Sequence, residues 1–301
     1  MLVHVTEEEL RPEAVIDSLD RSIHGAVTTF MGTVRKYTEG RTVEYLDYEA
    51  YPEMAQAKIQ EIVDELVNDA EERGRMDLVS DLAYPLPATL ICEILGVPAG
   101  AQQQFKTWAD DIAAFFGATG PYAARFADRA EESRKQLTGL FRGLTLQRRL
   151  EPRQDLISAL AAMEGEEEWL TEQELLGLCV FLFVAGFETT VSLISNGMVS
   201  LLQNRRELER LRSDPSLMET AVEEFLRYES PIQIDTRLIA EDLELRGRSL
   251  RKGQAVMMVR AAANRDPAQF PDPDRLDVGR QDNRHLAFGW GIHFCLGAPL
   301  A

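Results

Sequence analysis

The segment His285–Ala301, "HLAFGWGIHFCLGAPLA", decides how the rest of the chain is interpreted. It sets Cys295 among Gly289, Gly291 and Gly297. Because glycine adopts backbone conformations that other residues resist, this spacing predicts a loop that curls tightly under a flat ligand. A thiolate binds metal well where backbone N–H groups tolerate its charge. The alternative is a buried structural cysteine, but the full Phe-Gly-x-Gly-x-His-x-Cys-x-Gly spacing favours a ligand.

Composition excludes several classes of protein. The chain has 301 residues, enough for one large domain or two ordinary ones, and its formal net charge of -18 disfavours binding to nucleic acid or anionic membranes. The apolar run Leu175–Phe187 is shorter than the roughly 20 residues that cross a bilayer, so it predicts a buried helix. The first residues, "MLVHVTEEEL", resemble neither a signal peptide nor an anchor. We therefore expect a cytoplasmic protein without membrane partners.

The cysteines indicate a reducing compartment. The chain has three, at Cys92, Cys179 and Cys295, and their odd number and wide spacing exclude a disulfide framework or a Cys-x-x-Cys zinc site. Cys92 and Cys179 lie in apolar stretches and are predicted to be core residues.

The chain has two halves of different character. Residues 1–57 contain β-branched and aromatic runs between glycines, which predict strands, with short helices near Pro12 and from Pro52. The remainder predicts helices over 81–95, 101–116, 121–149, 171–203 and 216–229, followed by a β-rich stretch over 236–262. No linker separates the halves, because one apolar stripe at helical spacing crosses the boundary. The predicted class is mainly α with small β elements, preceded by a short α/β fragment.

Three further motifs precede the cysteine loop. "AGFETT" lies in the long apolar helix at 185–190, "EEFLRYESP" follows at 223–231, and "DTRLIAEDLEL" begins at Asp235. With the loop, these motifs make residues 58–301 resemble a bacterial soluble cytochrome P-450, a haem-thiolate monooxygenase. The resemblance implies a partial cytochrome P-450 fold and haem b, with Cys295 as its axial metal ligand. A sulfur ligand on haem iron favours O–O cleavage.

The resemblance also implies roles for the "AGFETT" residues. Ala185 and Gly186 would leave a groove over the iron, and Glu188 and Thr189 would be the catalytic pair that delivers protons. An acid and an alcohol beside small residues can hold water in a proton relay. The alternative for Thr189 is a hydroxyl bonded to its own helix backbone.

The remaining motifs imply scaffold and cofactor-binding residues. Glu224 and Arg227 share one helix face at i,i+3 spacing, and the family pattern adds Arg275 from the later loop as a structural partner. Arg237 and His285 match positions that pair haem propionates, which require cations. Phe288 would pack against the cofactor. His293 resembles a metal ligand, yet the family pattern assigns the iron to Cys295 alone.

The implied partners are a small organic substrate and an electron donor of the ferredoxin and ferredoxin reductase type. By the resemblance, Leu182, Ala185 and the segment 232–234 line the substrate pocket. The alternative for these side chains is ordinary core packing.

Residues 1–57 resemble a different family, the amino-terminal part of the molybdopterin synthase large subunit. The similarity rests on a Gly-Thr-Val-Arg turn, a Gly-Arg-x-Val strand and the Tyr-Glu-Ala-Tyr-Pro-Glu-Met segment. By this resemblance Arg35 would contact an anionic precursor, and sulfur transfer is an alternative function. That family's lysines and His-Arg segment have no counterpart here, so we expect no sulfur transfer.

A third alternative is a non-catalytic chimeric fragment. The similarity to cytochrome P-450 starts inside a helix near residue 58, without the family's first helices, and ends at Ala301, before its carboxy-terminal strands. We therefore expect a P-450-like domain that is truncated at both ends.

Overall fold

The computed structural model describes residues 37–38, 41–42, 52–98, 102–117, 124–162 and 170–300. Its α-helices, in chain order, are α1 Pro52–Arg73, α2 Pro85–Leu95, α3 Gln102–Gly117, α4 Ala124–Leu150, α5 Leu156–Ala162, α6 Glu172–Gln203, α7 Arg205–Ser213, α8 Met218–Tyr228 and α9 Arg260–Ala263. The strands are β1 Tyr37–Thr38, β2 Arg41–Thr42, β3 Ile234–Leu238, β4 Leu243–Leu245, β5 Arg248–Leu250 and β6 Ala255–Val259. The predicted class, mainly α with small β elements, is confirmed.

The long helices lie close to their predicted positions, but the sequence pattern missed α5 and α7. Both are short, and α7 is strongly charged, so neither has a long apolar stripe. The helix predicted over 81–95 is divided. A π-helical turn, Val79–Ala83, precedes α2. Pro85 has no backbone N–H to continue the earlier turn, so it begins a new helix.

Most predictions for the first half fall on residues outside the described ranges. These include the helix near Pro12, most of the predicted strands and Arg35. Within those ranges β1 and β2 pair as a short antiparallel hairpin. Helix α1 begins at Pro52, as predicted, and continues without a break through the expected junction near residue 58.

The chain divides into two compact units, one of residues 49–199 with 300–301 and one of residues 1–48 with 200–299. The core of the unit containing residues 49–199 is a cluster of apolar side chains from α2, α3, α4, α5 and α6. Its centre is aromatic, with Phe183 stacked on Phe187 at 6.4 Å and tilted against Phe105 at 5.2 Å between ring centroids. Cys92 and Cys179 lie in this cluster, as predicted, and burial raises the pKa of each thiol to about 11.

Helix α6 is buried on one face only. Leu175 and Phe183 are 0% and 1% exposed, whereas Phe181 on the other face is 63% exposed. The prediction of a buried helix therefore holds for one face of α6 and not for the other. By length and composition α6 could also cross a membrane, with 22% of its most apolar window buried. The core helix of a soluble protein meets the same criterion, and the buried face of α6 packs as such a helix does.

An ion pair closes one end of this core. The guanidinium of Arg148 on α4 lies 2.5 Å from the Asp155 carboxylate, and both side chains are at least 95% buried. Arg148 also donates to the carbonyl of Gly96 at 2.7 Å. The side chain thus ties α4 to the turn after α2 and to the start of α5.

In the other unit, residues 200–299 surround a smaller core. Five buried side chains form that core, namely Leu201, Leu211, Ala221, Leu276 and Val278. Strands β3 and β6 pair antiparallel, with Ile234 opposite Val259, and β4 and β5 form a hairpin between them. These strands account for the predicted β-rich stretch. Helix α8 and the pair β3–β6 support the segment that carries Cys295.

Candidate functional site

The loop around Cys295 is a tight turn held by its own backbone. Gly289 and Gly291 both have positive φ, +74° and +71°. The Cys295 N–H donates to the carbonyl of Phe288 at 2.9 Å, and the Phe294 N–H donates to Gly291 at 2.9 Å. Cys295 itself is a free, exposed thiol. The turn therefore presents the sulfur outward, as the glycine pattern predicts.

The backbone conformation of the turn requires glycine at position 289. Gly289 has a positive φ, which strains any other residue, and a Cβ there would lie 3.4 Å from the carbonyl oxygen of His293. A Cβ at Gly297 would lie 3.9 Å from the Cys295 Sγ, which is an ordinary van der Waals contact. The turn therefore accounts for Gly289 but does not by itself require Gly297.

Apolar side chains surround the thiol. Phe288 and Phe294 meet edge to face with centroids 6.2 Å apart. Trp290, Phe294 and Leu296 are 60%, 54% and 64% exposed. Such an exposed apolar group beside a thiol is a surface suited to an apolar, planar ligand.

His285 lies at the base of the loop and is directed toward α8. Its Nδ1 accepts a hydrogen bond from the Ala287 N–H at 3.2 Å, so Nε2 carries the proton and donates to the Glu223 carboxylate at 2.9 Å. Burial lowers the pKa of the imidazole, while Glu223 acts in the opposite direction. Both ring nitrogens are therefore engaged within the protein. The expected pairing of His285 with a haem propionate stays a prediction, and it would require the imidazole to exchange its hydrogen bond to Glu223 for one to the propionate.

Arg237 has a different environment. It lies on β3 with an exposed side chain, and its guanidinium donates to the carbonyl of Thr236 at 3.1 Å. Within the described ranges no carboxylate pairs with it. Its pairing with a haem propionate stays a prediction.

Glu224 and Arg227 form a buried ion pair. Both side chains are 0% exposed, and the guanidinium donates to both carboxylate oxygens at 2.8 and 2.9 Å. Arg227 also donates to the carbonyls of Asn264 and Pro273, each at 2.9 Å. The pair thereby fixes the Pro/Asp-rich loop against α8.

The third arginine of this cluster is Arg280, in place of the expected Arg275. Its Nε donates to Glu224 at 3.0 Å, and its side chain is 10% exposed. Arg275 is exposed and contributes its backbone carbonyl, which accepts from Arg280 at 3.3 Å. The loop turns at Asp272, where φ is +47°, and Arg280 donates to the carbonyl of Pro271 beside this turn at 2.9 Å.

The "AGFETT" residues lie on α6, in the unit that contains residues 49–199. Thr189 donates its hydroxyl to the carbonyl of Ala185 at 2.7 Å, which is the backbone-bonded alternative. Gly186 permits close packing of α2, because a Cβ there would lie 3.1 Å from Ile91 Cδ1. Gly186 therefore has a local packing role, while Ala185 contributes its backbone carbonyl, and the expected groove at these two residues stays a prediction.

Glu188 faces a group of polar residues that the sequence motifs did not identify. Its pKa is raised, first by burial and then by the Asp110 carboxylate, while Lys106 acts in the opposite direction. Burial likewise raises the pKa of Asp110. The Lys106 ammonium lies 4.2 Å from the centre of the Tyr84 ring. Two residues of α3, Asp110 and Lys106, thus set the charge environment of Glu188.

The expected pocket residues belong to different units. Leu182 on α6 is half-buried, while Ile232 and Ile234 near β3 are 40% and 42% exposed. The two isoleucines are apolar surface in their own unit, so they are not ordinary core residues there.

Comparison with known proteins identifies the family of this chain. The family profile described as Cytochrome P450 matches residues 42–301. The chain belongs to the cytochrome P450 family. The match begins at residue 42, within the segment 1–57 for which a different family was expected.

Individual cytochromes P450 are similar over most of the chain. Cytochrome P450 YjiB of Bacillus subtilis is 43% identical over 245 residues, which cover 81% of this chain and 62% of that protein. The structure of CYP109E1 from Bacillus megaterium in complex with testosterone has a TM-score of 0.78 and 38% identity, covering 83% of this chain and 66% of that one. The myxobacterial CYP267B1 in complex with myristic acid has a TM-score of 0.77 and 44% identity, covering 83% and 61%. The chain spans about three fifths of the length of the curated relatives that it matches.

The family carries haem with a cysteine thiolate as axial ligand, and the residues present fit that group. The Cys295 thiol is exposed at the tip of a glycine turn, and exposed apolar side chains flank it. In the described ranges no three His, Cys, Asp or Glu side chains are placed to hold a metal ion. Such a surface suits a metal that arrives with its own planar ligands and needs one protein ligand.

Proposed function

We propose that this chain acts as a haem-dependent monooxygenase that inserts one oxygen atom from dioxygen into a small organic substrate. The observation that carries the proposal is the Cys295 turn, in which the backbone bond to Phe288 presents an exposed thiol among apolar side chains. Cys295 would be the axial ligand, and Phe288 and Arg237 would contact the ring and its propionates. When bound, haem supplies the binding and activation of dioxygen.

Glu188 would supply protons. The raised pKa of this half-buried carboxyl keeps a larger fraction of it protonated near neutral pH than an exposed glutamate has. Thr189 donates to Ala185 in this structure. It would have to exchange this bond for a bond to water before it could relay a proton. The pair would therefore hold and move protons at the Glu188 carboxyl and the Thr189 hydroxyl.

The substrate class that we propose is a small apolar molecule. Leu182, Ile232 and Ile234 are the expected contacts, and none of them could bind a charged group. The relatives bound to myristic acid and to testosterone support this class, since both ligands are largely apolar. We further propose a cytoplasmic location and an electron donor of the ferredoxin type.

The test is turnover by the 301-residue chain, supplied with haem, a surrogate ferredoxin and reductase, and either myristic acid or testosterone. A product heavier by one oxygen atom, absent when Glu188→Gln replaces the native chain, supports the proposal. A chain that binds haem through Cys295 but forms no product with a panel of apolar substrates favours the non-catalytic alternative.

We also keep the two-part organisation, 1–57 and 58–301, as a proposal. It rests on the resemblance of the first segment to molybdopterin synthase, and most of that segment lies outside the described ranges. Sequencing the DNA across codons 50–70 tests whether the two segments are joined in the gene. Failure to bind a sulfur-carrier small subunit would remove the sulfur-transfer alternative.

A further inference from the structure

A nearly buried arginine contacts the base of the cysteine loop. Arg260 is the first residue of α9, and its side chain is 13% exposed. Its Nη1 donates to the carbonyl of Ala287 at 2.7 Å and to that of Leu286 at 3.3 Å. Its Nη2 lies 2.6 Å from the Asp235 carboxylate on β3. One guanidinium thus joins strand β3 to the segment that precedes the turn.

The carbonyls that Arg260 holds belong to the framework of the turn. The carbonyl of Leu286 also accepts a hydrogen bond from the Gly289 N–H at 3.0 Å. Two residues later, the carbonyl of Phe288 accepts a hydrogen bond from the Cys295 N–H at 2.9 Å. A Cβ at Gly289 would lie 3.9 Å from the Arg260 Nη1. Arg260 therefore fixes two of the three consecutive carbonyls that precede the turn, and the third fixes Cys295.

The partner of Arg260 also affects Arg237. Asp235 and Arg237 are two residues apart on β3, so their side chains leave the strand on the same face. Asp235 pairs with Arg260, and within the described part of the chain Arg237 has no carboxylate partner. Without Arg260, the Asp235 carboxylate would lose its partner while lying on the same strand face as the Arg237 guanidinium. The ion pair therefore removes one carboxylate that would otherwise compete for the charge of Arg237.

We propose that Arg260, with Asp235 as its counter-ion, is a positioning residue for the Cys295 thiolate and for the anion-binding charge of Arg237. This inference rests on the proposed function, because it assigns Arg260 a role toward bound haem. The planar fork of arginine suits the task, since it reaches a carboxylate and two carbonyls at once, whereas lysine offers a single point charge.

The experiment compares Arg260→Met with Arg212→Met in the purified chain. Arg212 is the matched control because it pairs with Glu209 at 3.3 Å, while both side chains remain exposed. Haem titration and the reduced, carbon monoxide-bound spectrum are measured for each. We expect about tenfold weaker haem binding and a smaller thiolate-type Soret band in Arg260→Met, as for other residues that orient metal ligands. Arg260→Lys should recover part of both, and Arg212→Met should match the native chain.

A second measurement separates this inference from the proposed function. If the native chain binds no haem, the proposed function fails, but hydrogen exchange of the apoprotein still tests the positioning role. The amides of Gly289 and Cys295 should exchange faster in Arg260→Met than in the native chain or in Arg212→Met. The inference would be overturned if these amides exchanged at the same rate in all three proteins and, where haem binds, the three spectra were also the same.

Discussion

At the scale of single residues, motifs predict candidate reactive groups but not the residues that surround them. Cys295 and Glu188 are predicted from motifs, and the catalytic role of Glu188 stays a prediction. Asp110 and Lys106, which surround Glu188, do not follow from a motif. They lie on another helix far away in sequence, and many exposed helices carry the same residue types. Only the packing of α3 near α6 distinguishes them.

The environment of Glu188 predicts a pH-dependent stability. Because its pKa is raised in the folded protein, folding favours the protonated acid, and stability falls as the pH rises from the ordinary glutamate value of 4.5 through the folded value. Glu188→Gln removes the cost of burying the ionised carboxylate. The variant should unfold at a higher temperature than the native chain near neutral pH, and both should unfold at the same temperature below the ordinary glutamate pKa of 4.5.

Thermal unfolding followed by circular dichroism across this pH range measures the difference. Glu132→Gln is the control, because Glu132 is exposed on α4, and it should show no such dependence. A Glu188→Gln variant that is no more stable than the native chain near neutral pH would contradict the burial of this acid.

At the scale of elements, helix positions follow from sequence more closely than the contacts that join elements. The apolar periodicity predicts α3, α4 and α6 within a few residues. The loop after α9 has no periodicity, and no motif indicates whether Arg275 or Arg280 contacts Glu224. The resemblance therefore suggested the wrong arginine for the contact with Glu224.

This choice gives a direct comparison of two arginines. Arg280→Ala removes a donor to a fully buried carboxylate and should lower the free energy of unfolding by about 1.5–3 kcal/mol. Arg275→Ala changes an exposed side chain and should cost less than about 0.5 kcal/mol. Urea unfolding measures both values. Equal losses in the two variants would show that Arg275 also reaches the cluster.

The turn after α2 provides a second prediction about an element. Gly96 has φ +77°, and a Cβ there would collide with the carboxylate of Asp155. Gly96→Ala should therefore destabilise the chain by more than the roughly 1–2 kcal/mol that a positive φ alone costs. Gly74→Ala is the matched control, since it shares a positive φ, +66°, but meets nothing within 4 Å. If Gly96→Ala and Gly74→Ala lowered the free energy of unfolding by the same amount, the Asp155 side chain would have to move aside at no cost, which would contradict the prediction.

At the scale of the whole molecule, family membership came from the order of four motifs, and no single motif was sufficient. The proposed chemistry draws on both compact units, since Cys295 belongs to one and Glu188 to the other. The chain spans only part of its relatives' length. Sequence could therefore predict the reaction class but not the substrate, because motifs record the chemistry that the family shares, whereas substrate choice depends on variable pocket walls.

The central claim is that Cys295 holds haem through its thiolate. The most direct measurement is the reduced, carbon monoxide-bound absorption spectrum of the haem-supplemented chain beside that of Cys295→Ser. We predict a red-shifted, thiolate-type Soret band in the native chain and its loss in the variant. A native chain without a haem band, or a band that the substitution leaves unchanged, would contradict the claim.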